Sequence, residues 1–408
     1  MNLLTIKIEN NILQLAEVRH IGKKAYIDKV RVFSIPENLG NGGFVKNTEV
    51  FADFVVSCLD RGKLKKEKAM ILLDISTVFL KEYTHEKSKP IHLLSLASLE
   101  ADAALPENEG EFIIENEWYG PRKNQKGMQT SAIYAVNERF ITRITKDMKT
   151  RGIKLAAVIP TTIVHTDIIK KLLSNKISGS EFDNKTVVAL DLSHQEIRAI
   201  VFHNRELIHQ RTDNQIMDEF YRSVATAFNL SLDVAEEYCL KNGFHEESEG
   251  NRRDPVAYEE MTQTGVSLVT RMARSIKMIL SEENLIPDRI IISGVAAAIP
   301  GLAKFINECL GIQCNSINDY YESFSKAVEL GGKLKSRNNL SQKNRNNLFQ
   351  SLVLLAGIDY KRKKNLNFLT RGITRKRNNR RTIFVCTFVF IATLLVMSIL
   401  HLNYYITY

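Results

Sequence analysis

The sequence predicts a mixed α/β fold in which a unit of three antiparallel strands and a helix occurs twice. Three observations predict this fold. Short apolar runs of strand length precede longer amphipathic segments of helix length. The first two runs meet at Glu9-Asn10-Asn11, and asparagine tolerates the positive φ of a tight hairpin turn. The same order of segments then recurs about 180 residues later.

The first copy of the unit occupies the N-terminal 75 residues. We expect a hairpin, a third strand, a helix and then a buried strand. In chain order these elements are Leu3–Ile8, Ile12–Val18, Tyr26–Phe33, Thr48–Leu59 and Ala69–Ile75.

The second copy begins near residue 185. Its three strands are Val187–Leu192, Ile197–Phe202 and Glu206–Arg211, and its helix is Asn214–Phe228. Beyond it we expect a helix with Ser231 as N-cap, a polar loop, a long helix, a buried strand and a last helix. These are Leu232–Asn242, His245–Asp254, Tyr258–Glu283, Arg289–Ser293 and Pro300–Leu310.

A smaller α+β block lies between the two copies, at roughly residues 80–155. Pro106 and Gly152 mark the ends of its two helices, since proline and glycine interrupt helices. We expect a helix, two strands and a helix, at Leu93–Ala104, Glu111–Trp118, Ser131–Val136 and Glu138–Lys149.

The net charge of +10 is confined to one stretch of the chain. Residues 333–381 contain 15 Lys and Arg against a single acid, Asp359, whereas residues 1–332 contain 41 basic and 45 acidic side chains. A nucleic-acid-binding fold carries its basic residues on a folded face. The mildly acidic N-terminal part therefore argues against a nucleic-acid partner. The 408 residues with 44% hydrophobic content exclude a disordered chain.

The apolar segment Thr382–Leu400 predicts one transmembrane helix. It has 19 residues without a charge, proline or glycine, enough to cross a bilayer core of about 30 Å. The alternative, a buried core helix, would show a polar stripe, which this segment lacks. The positive-inside rule then places the N-terminal domain in the cytoplasm and residues 401–408 at the outer face of the cytoplasmic membrane. The flanking basic residues are Arg375, Lys376, Arg377, Arg380 and Arg381.

The segment Ile290–Gly311 resembles the adenosine-side motif of the actin-like ATPases. In that motif a strand ends in small residues and glycines, and Pro-Gly-Leu then opens a helix. This chain has Gly294 at the first glycine and Val295 at the second. The resemblance implies a duplicated actin-like ATPase fold with a small inserted α+β subdomain.

Four further segments are similar to the PilM family of type IV pilus assembly proteins. The resemblance covers residues 1–335 and implies that the block at about 80–155 is the family's inserted subdomain. The four segments are Leu99–Pro106, Glu111–Trp118, Leu230–Lys241 and Val266–Glu282.

The tail resembles the N-terminus of PilN-type proteins, which begin with a short peptide, a basic stretch and one membrane span. Here the peptide is Asn365–Leu369 (NLNFL), within a basic linker at 336–381. The resemblance implies a PilM–PilN fusion, with an architecture similar to GspL of type II secretion. PilN proteins continue into an outer-face domain, whereas this chain ends eight residues after Leu400.

In the PilN family the peptide docks on PilM beside the inserted subdomain. The resemblance therefore implies that the peptide residues bind the same chain or a neighbouring chain in a homo-oligomer. It also implies platform partners of the PilN and PilO type. The alternative, an ordinary linker, stays open. The candidate peptide residues are Leu366, Asn367, Phe368 and Leu369.

The resemblance also implies positions for a nucleotide, and several of them carry the wrong residue. The family has aspartate at Lys7, and glycine at Glu9 and Ser193. It also has lysine at Cys239. Lys7 either pairs with a phosphate as a point charge or is a strand-edge lysine in a loop. The candidate nucleotide residues are Lys7, Asp191, Ser193, Glu236, Gly294 and Ala296.

These observations predict a membrane-anchored scaffold of a pilus or secretion platform, with no catalytic residue and no metal-ligand set. We expect no cofactor, although Mg-ATP stays open as a ligand. One alternative is an active actin-like ATPase or a nucleotide-switched component of the same platform. A second is a cell-division tether that polymerises like FtsA.

Overall fold

A computed structural model describes residues 2–330 with short gaps, together with residues 366–369 and Thr393. The predicted membrane span and its basic flank, except Thr393, lie outside the described residues. Within the described part, no helix combines the length and apolar character needed to cross a bilayer. The gaps are at 10–11, 22–23, 37, 42–43, 67, 88–89, 106–110, 122–126, 175–177, 193–195, 215, 245–246, 249–250, 253–254, 282 and 321–327.

Strands and helices alternate along the chain. Up to residue 172 they are β1 (Asn2–Glu9), β2 (Ile12–Ile21), β3 (Lys24–Ser34), β4 (Gly40–Asn41), β5 (Phe44–Val45), α1 (Thr48–Gly62), β6 (Ala69–Leu73), β7 (Phe79–Glu86), α2 (Pro90–Asp102), β8 (Phe112–Pro121), β9 (Met128–Asn137), α3 (Glu138–Thr150), β10 (Leu155–Pro160) and α4 (Thr161–Leu172). The later ones are β11 (Thr186–Leu192), β12 (Glu196–His203), β13 (Glu206–Asn214), α5 (Ile216–Ala227), α6 (Leu232–Asn242), β14 (Glu247–Ser248), β15 (Asn251–Arg252), α7 (Pro255–Ser281), β16 (Arg289–Ser293), α8 (Leu302–Leu310), β17 (Gln313–Ser316) and β18 (Val328–Leu330).

Two larger sheets share one plan. The first sheet has the order β10-β6-β1-β2-β3-β18 and the second sheet has the order β13-β12-β11-β16-β17. In each sheet the leading strand, β1 or β11, pairs antiparallel with the next strand and parallel with a strand that follows a helix. The third sheet, β7-β9-β8, is antiparallel. This topology leaves β10 and β13 at the edges of their sheets.

Local sequence explains why these elements form. The five residues of β6, Ala69–Leu73, are all buried, as expected of a parallel strand covered on both faces. The α1 helix begins where the Asn47 side chain accepts hydrogen bonds from the backbone N–H groups of Glu49 and Val50. It ends at Lys63, which adopts a positive φ of 52°.

Most predicted elements lie within a few residues of the observed ones, and the hairpin around Asn10-Asn11 is confirmed. Seven elements were missed outside the predicted polar loop, namely β4, β5, β7, β10, α4, β17 and β18. The predicted polar loop 245–254 contains the two short strands β14 and β15, so that prediction was wrong. Ser231 occupies the predicted N-cap position of α6, but its side chain makes no capping hydrogen bond.

Candidate functional site

The tail residues 366–369 lie against the edge strand β10. The Asn367 side chain accepts a hydrogen bond from the Val158 N–H at 2.9 Å and donates one to the Ala156 carbonyl at 3.3 Å. A carboxamide carries the same donor and acceptor as a peptide group. Asn367 therefore forms hydrogen bonds with the exposed backbone groups of Ala156 and Val158 on β10, as a neighbouring strand would.

The same asparagine also begins a helical turn in the tail. Its Oδ1 accepts a hydrogen bond from the Leu369 N–H at 3.1 Å, and Phe368 and Leu369 are helical. This is the geometry of an N-cap residue, for which asparagine is favoured. One side chain thus fixes both the conformation of the tail and its position on β10.

The apolar tail residues are part of the core of the first sheet. Phe368 is fully buried, and Leu366 and Leu369 are each less than a tenth exposed. All three belong to one apolar cluster with residues of the first, second and third sheets, including Tyr119 and Tyr134. Burial of a phenylalanine side chain is worth roughly 1.5–3 kcal/mol, so these contacts add more than the asparagine bonds alone.

A polar network joins the third sheet to the edge strand β13. Glu82 on β7 accepts a hydrogen bond from the Gln210 N–H at 2.8 Å, and it also contacts His209. The Gln210 side chain donates to the Tyr119 and Tyr134 hydroxyls. Glu82 therefore accepts a hydrogen bond from the backbone of the edge strand β13, just as Asn367 bonds to the backbone of the edge strand β10.

A second branch of this network reaches α4. The Tyr134 hydroxyl donates to Glu117 at 3.0 Å, and the other oxygen of Glu117 lies 3.2 Å from the Lys170 ammonium. Burial raises the pKa of Tyr134 well above its usual value, and the Glu117 charge raises it further. The phenol therefore stays protonated and remains a donor to Glu117.

A row of polar side chains crosses one face of the second sheet. The strand registers place Thr212 opposite Arg198, Arg198 opposite Asp191, and Asp191 opposite Ser293. Directly opposed residues project from the same face of a sheet. Arg198 is only 2% exposed, and its Nη2 lies 3.5 Å from Asp191 Oδ2.

His165 on α4 reaches this row from the side of the first sheet. Arg198 Nη2 donates to His165 Nδ1 at 2.9 Å, and a guanidinium can only donate. The proton of the neutral imidazole is therefore on Nε2, which donates to Ser293 Oγ. Ser293 in turn donates to the Leu190 carbonyl at 3.3 Å. The hydrogen bonds define one orientation for the histidine ring.

Lys7 lies inside β1, between β2 and β6, and is only 2% exposed. The alternative of a strand-edge lysine in a loop was therefore wrong, because both neighbouring strands pair through this position. Burial raises the pKa of Asp191, but the positive charges of Arg198 and Lys7 lower it more, and the pKa lies below the usual aspartate value. Asp191 is thus a carboxylate held among basic side chains.

A comparison with known protein families decides the identity of this fold. A family model described as type IV pilus assembly protein PilM matches residues 5–343, which is most of the chain. The chain belongs to the PilM family. A search of curated proteins gave no match.

One solved structure agrees with this family at the level of the fold, and two others are more distant matches. A PilM–PilN type IV pilus biogenesis complex matches with a TM-score of 0.66 at 17% identity, over 87% of this chain and 97% of the other. Ethanolamine utilization protein EutJ from Carboxydothermus hydrogenoformans matches with a TM-score of 0.45 at 8% identity, over 87% and 90%. MreB5 of Spiroplasma citri bound to AMPPNP matches with a TM-score of 0.44 at 10% identity, over 83% and 99%. The PilM match shows an actin-like ATPase fold for this chain.

The actin-like fold implies Mg-ATP, and the residues of this PilM-family chain do not fit it. A divalent cation is bound by carboxylate, carbonyl and water oxygens. Asp191 is the carboxylate that the row offers; it already lies 3.5 Å from Arg198, and the charge of Lys7 also lowers its pKa. A metal ion at Asp191 would be repelled by both cations.

Gly294 has a packing role that needs no nucleotide. It adopts a positive φ of 87°, and a Cβ atom there would overlap the Leu192 carbonyl. Glycine is therefore required for the end of β16 to approach β11. Ala296 begins a 3₁₀ turn and is fully buried.

The other predicted nucleotide residues are not brought to one site in the described structure. Ser193 lies outside the described residues. Glu236 is on α6, where Cys239 is fully buried in the apolar cluster of the second sheet. Residues 297–304 line a cavity of about 410 Å³ with Cys314 and Asp319. Burial raises the pKa of Cys314 to about 12, so its thiol is neutral.

The sequence interpretation missed four residues of these sites. Ala156 and Val158 act through their backbone, and His165 belongs to the unpredicted helix α4. Arg198 was the one with a recognisable signal. It is a charged residue at the second position of a predicted strand that is otherwise nearly all apolar, seven residues after Asp191.

Proposed function

We propose that this chain is a membrane-anchored scaffold in the inner-membrane platform of a type IV pilus or type II secretion machine. Its actin-like domain, residues 1–335, lies in the cytoplasm. Residues 336–381 are a basic linker, residues 382–400 are a single transmembrane helix and residues 401–408 are a short outer-face tail. Its platform partners are of the PilN and PilO type.

One observation carries this proposal, namely the docking of the chain's own tail on β10. Asn367 bonds to the β10 edge, and Phe368 is fully buried. We infer that residues 365–369 are a PilN-like peptide that is fused to the protein it binds. The structural match to a PilM–PilN complex supports this inference. The peptide binds in the same chain, or in a neighbouring chain of a homo-oligomer.

The sheet plan supports the duplicated architecture of this proposal. Each large sheet begins with three antiparallel strands, and a helix follows them. The third sheet, with α2 and α3, lies between the two units in the chain and corresponds to the subdomain proposed at about 80–155.

The basic side chains that act on Asp191 favour a scaffold over an enzyme. A phosphoryl-transfer site holds Mg²⁺ and stabilises charge on the transferred group. Here the carboxylate is paired with Arg198 instead, and the charge of Lys7 also lowers its pKa. We therefore propose a degenerate nucleotide site and no ATP turnover.

Micromolar binding of Mg-ATP in a calorimetric titration would favour the nucleotide-switched alternative. Filament formation at high protein concentration would favour the FtsA-like tether.

Limited proteolysis of the full chain in mild detergent tests the tail docking. We expect Asn367→Ala combined with Phe368→Ala to speed tryptic cleavage after Lys364 and Arg371 at least about tenfold, because cleavage follows the population of the undocked tail. The matched control is Asn347→Ala, an asparagine of the predicted linker. Unchanged cleavage rates in the double variant would contradict the proposal.

A further inference from the structure

The interface of β1 and α4 with the second sheet contains a buried polar cluster that the scaffold function does not explain. His165 comes from α4 and Lys7 from β1, whereas Asp191, Arg198 and Ser293 come from three strands of the second sheet. All of them except Asp191 are less than a tenth exposed, and Asp191 is 21% exposed. Charged groups at this depth are costly unless they are paired.

The pairing in this cluster crosses between the sheets. His165 accepts a hydrogen bond from Arg198 at 2.9 Å, donates one to Ser293, and has Nδ1 at 3.7 Å from Asp191 Oδ2. A single helix residue therefore contacts three strands of the other sheet. Any movement of α4 away from the second sheet must break these contacts together.

The charges at the matched hairpin positions of the two sheets differ from those of a metal-binding site. Lys7 pairs with Gln14 across β1 and β2, and Asp191 pairs with Arg198 across β11 and β12, each seven residues apart. Lys7 and Asp191 thus occupy equivalent positions of two equivalent hairpins. Two carboxylates at such positions would need a cation between them. One lysine and one carboxylate need none.

We propose that Lys7, His165, Asp191, Arg198 and Ser293 form a metal-free clasp that holds the two sheets together without Mg²⁺ or nucleotide. Lys7 takes the electrostatic role that a bound cation would have beside Asp191. Arg198 and His165 supply the directional contacts. The clasp keeps the two sheets together whether or not a ligand is present.

The first test is ligand-independence, measured as the melting temperature of the full chain in mild detergent. We expect shifts below about 1 °C on adding EDTA, millimolar MgCl₂, Mg-ATP, or ATP with EDTA. The last probe is included because Arg198 Nε and Nη1 are buried without a hydrogen-bond partner among the described residues. A rise of several degrees with any of these ligands would overturn the clasp.

The second test is a double-mutant cycle with Lys7→Gln and Asp191→Asn. We expect each single variant to lower the melting temperature by on the order of 5 °C. The double variant should lower it by clearly less than the sum of the two single losses. The matched control is the exposed pair Lys185 and Asp288, 3.1 Å apart, with Lys185→Gln and Asp288→Asn. That cycle should be nearly additive, because exposed ion pairs contribute little. Additive losses at Lys7 and Asp191 would overturn the clasp.

A third test introduces the metal requirement that the clasp replaces. Lys7→Asp places two carboxylates at the equivalent hairpin positions, so its melting temperature should rise by several degrees in millimolar Mg²⁺ relative to EDTA. The wild-type chain should show no such rise. A folded Lys7→Asp variant that ignores Mg²⁺ would contradict the proposal. If this variant does not fold, the double-mutant cycle decides.

Discussion

At the scale of single residues, position decides whether a charged side chain acts as a ligand or as a structural partner. Asp191 is a candidate nucleotide residue from the sequence, but Arg198 lies 3.5 Å away on the neighbouring strand. Lys7 adds a second cation from the other sheet. The carboxylate is therefore already neutralised by the protein, and its ionisation contributes to folding.

The ionisation of Asp191 predicts a dependence of stability on pH. Its pKa is lowered in the folded state, so its contribution is fully present above the ordinary aspartate pKa of about 3.9 and is lost as the pH falls through the folded value. Asp191→Asn should cost on the order of 2 kcal/mol near neutral pH, and this difference should shrink below about pH 4.

Melting curves of wild type and Asp191→Asn, recorded from about pH 7 to about pH 3, check this expectation. Asp60→Asn, at a mostly exposed carboxylate, is the control and should change little. A wild-type advantage that stays constant down to the lowest pH would contradict it.

Two glycines separate the effect of close packing from the effect of backbone conformation. Gly294 and Gly152 have φ values of 87° and 82°, but only a Cβ at Gly294 would meet other atoms, the Leu192 backbone. Gly294→Ala should cost about 3 kcal/mol or more, whereas Gly152→Ala should cost about 1 kcal/mol from conformation alone. Chemical denaturation of both variants gives the comparison, and equal losses would refute the packing role.

At the scale of elements, the two edge strands are completed by side chains instead of by further strands. Asn367 supplies a donor and an acceptor to β10, and Glu82 supplies an acceptor to β13. Exposed strand edges are sites of unwanted pairing. The tail and the third sheet therefore protect the two edges as well as packing against the core.

The role of Glu82 at the β13 edge can be tested by two substitutions. Burial raises the pKa of Glu82 despite the opposing effects of His209 and the Gln210 N–H, so its charge is not the useful property. Near pH 8, Glu82→Gln should stay within about 1 kcal/mol of wild type, because the amide oxygen still accepts from Gln210. Glu82→Ala should lose about 1–3 kcal/mol. Equal losses in urea denaturation would show that the charge matters.

Elements with local signals could be predicted from the sequence, and elements defined by distant partners could not. The β1–β2 hairpin and the buried strand β6 could be predicted, because the sequence signal for each lies within a few residues. β10 and α4 follow one another without an intervening loop, and Pro160 was not recognised as the boundary between them. The contact between Asn367 and β10 joins residues about 210 positions apart, and only the resemblance to PilN suggested a docking role for this peptide.

At the scale of the whole molecule, the proposed fusion changes how the peptide competes for its groove. Thirty-five residues separate Leu330 from Leu366. For the proposed linker, a random coil of this length would have an end-to-end distance of roughly 30–35 Å. Such a linker gives the tethered peptide an effective concentration on the order of 1 mM. A weak peptide is then bound most of the time without any additional contact.

This tethering predicts strong resistance to a peptide added from outside. For an intrinsic Kd of about 10 μM, a synthetic peptide of residues 363–374 should bind the wild-type chain about 100-fold more weakly than the Asn367→Ala and Phe368→Ala double variant, whose own tail is undocked. Fluorescence anisotropy of the labelled peptide measures both affinities, and a peptide with the same two alanines is the control. Docking from a neighbouring chain would instead make the difference depend on protein concentration. Equal affinities for the two chains would mean that the groove is not occupied by the chain's own tail.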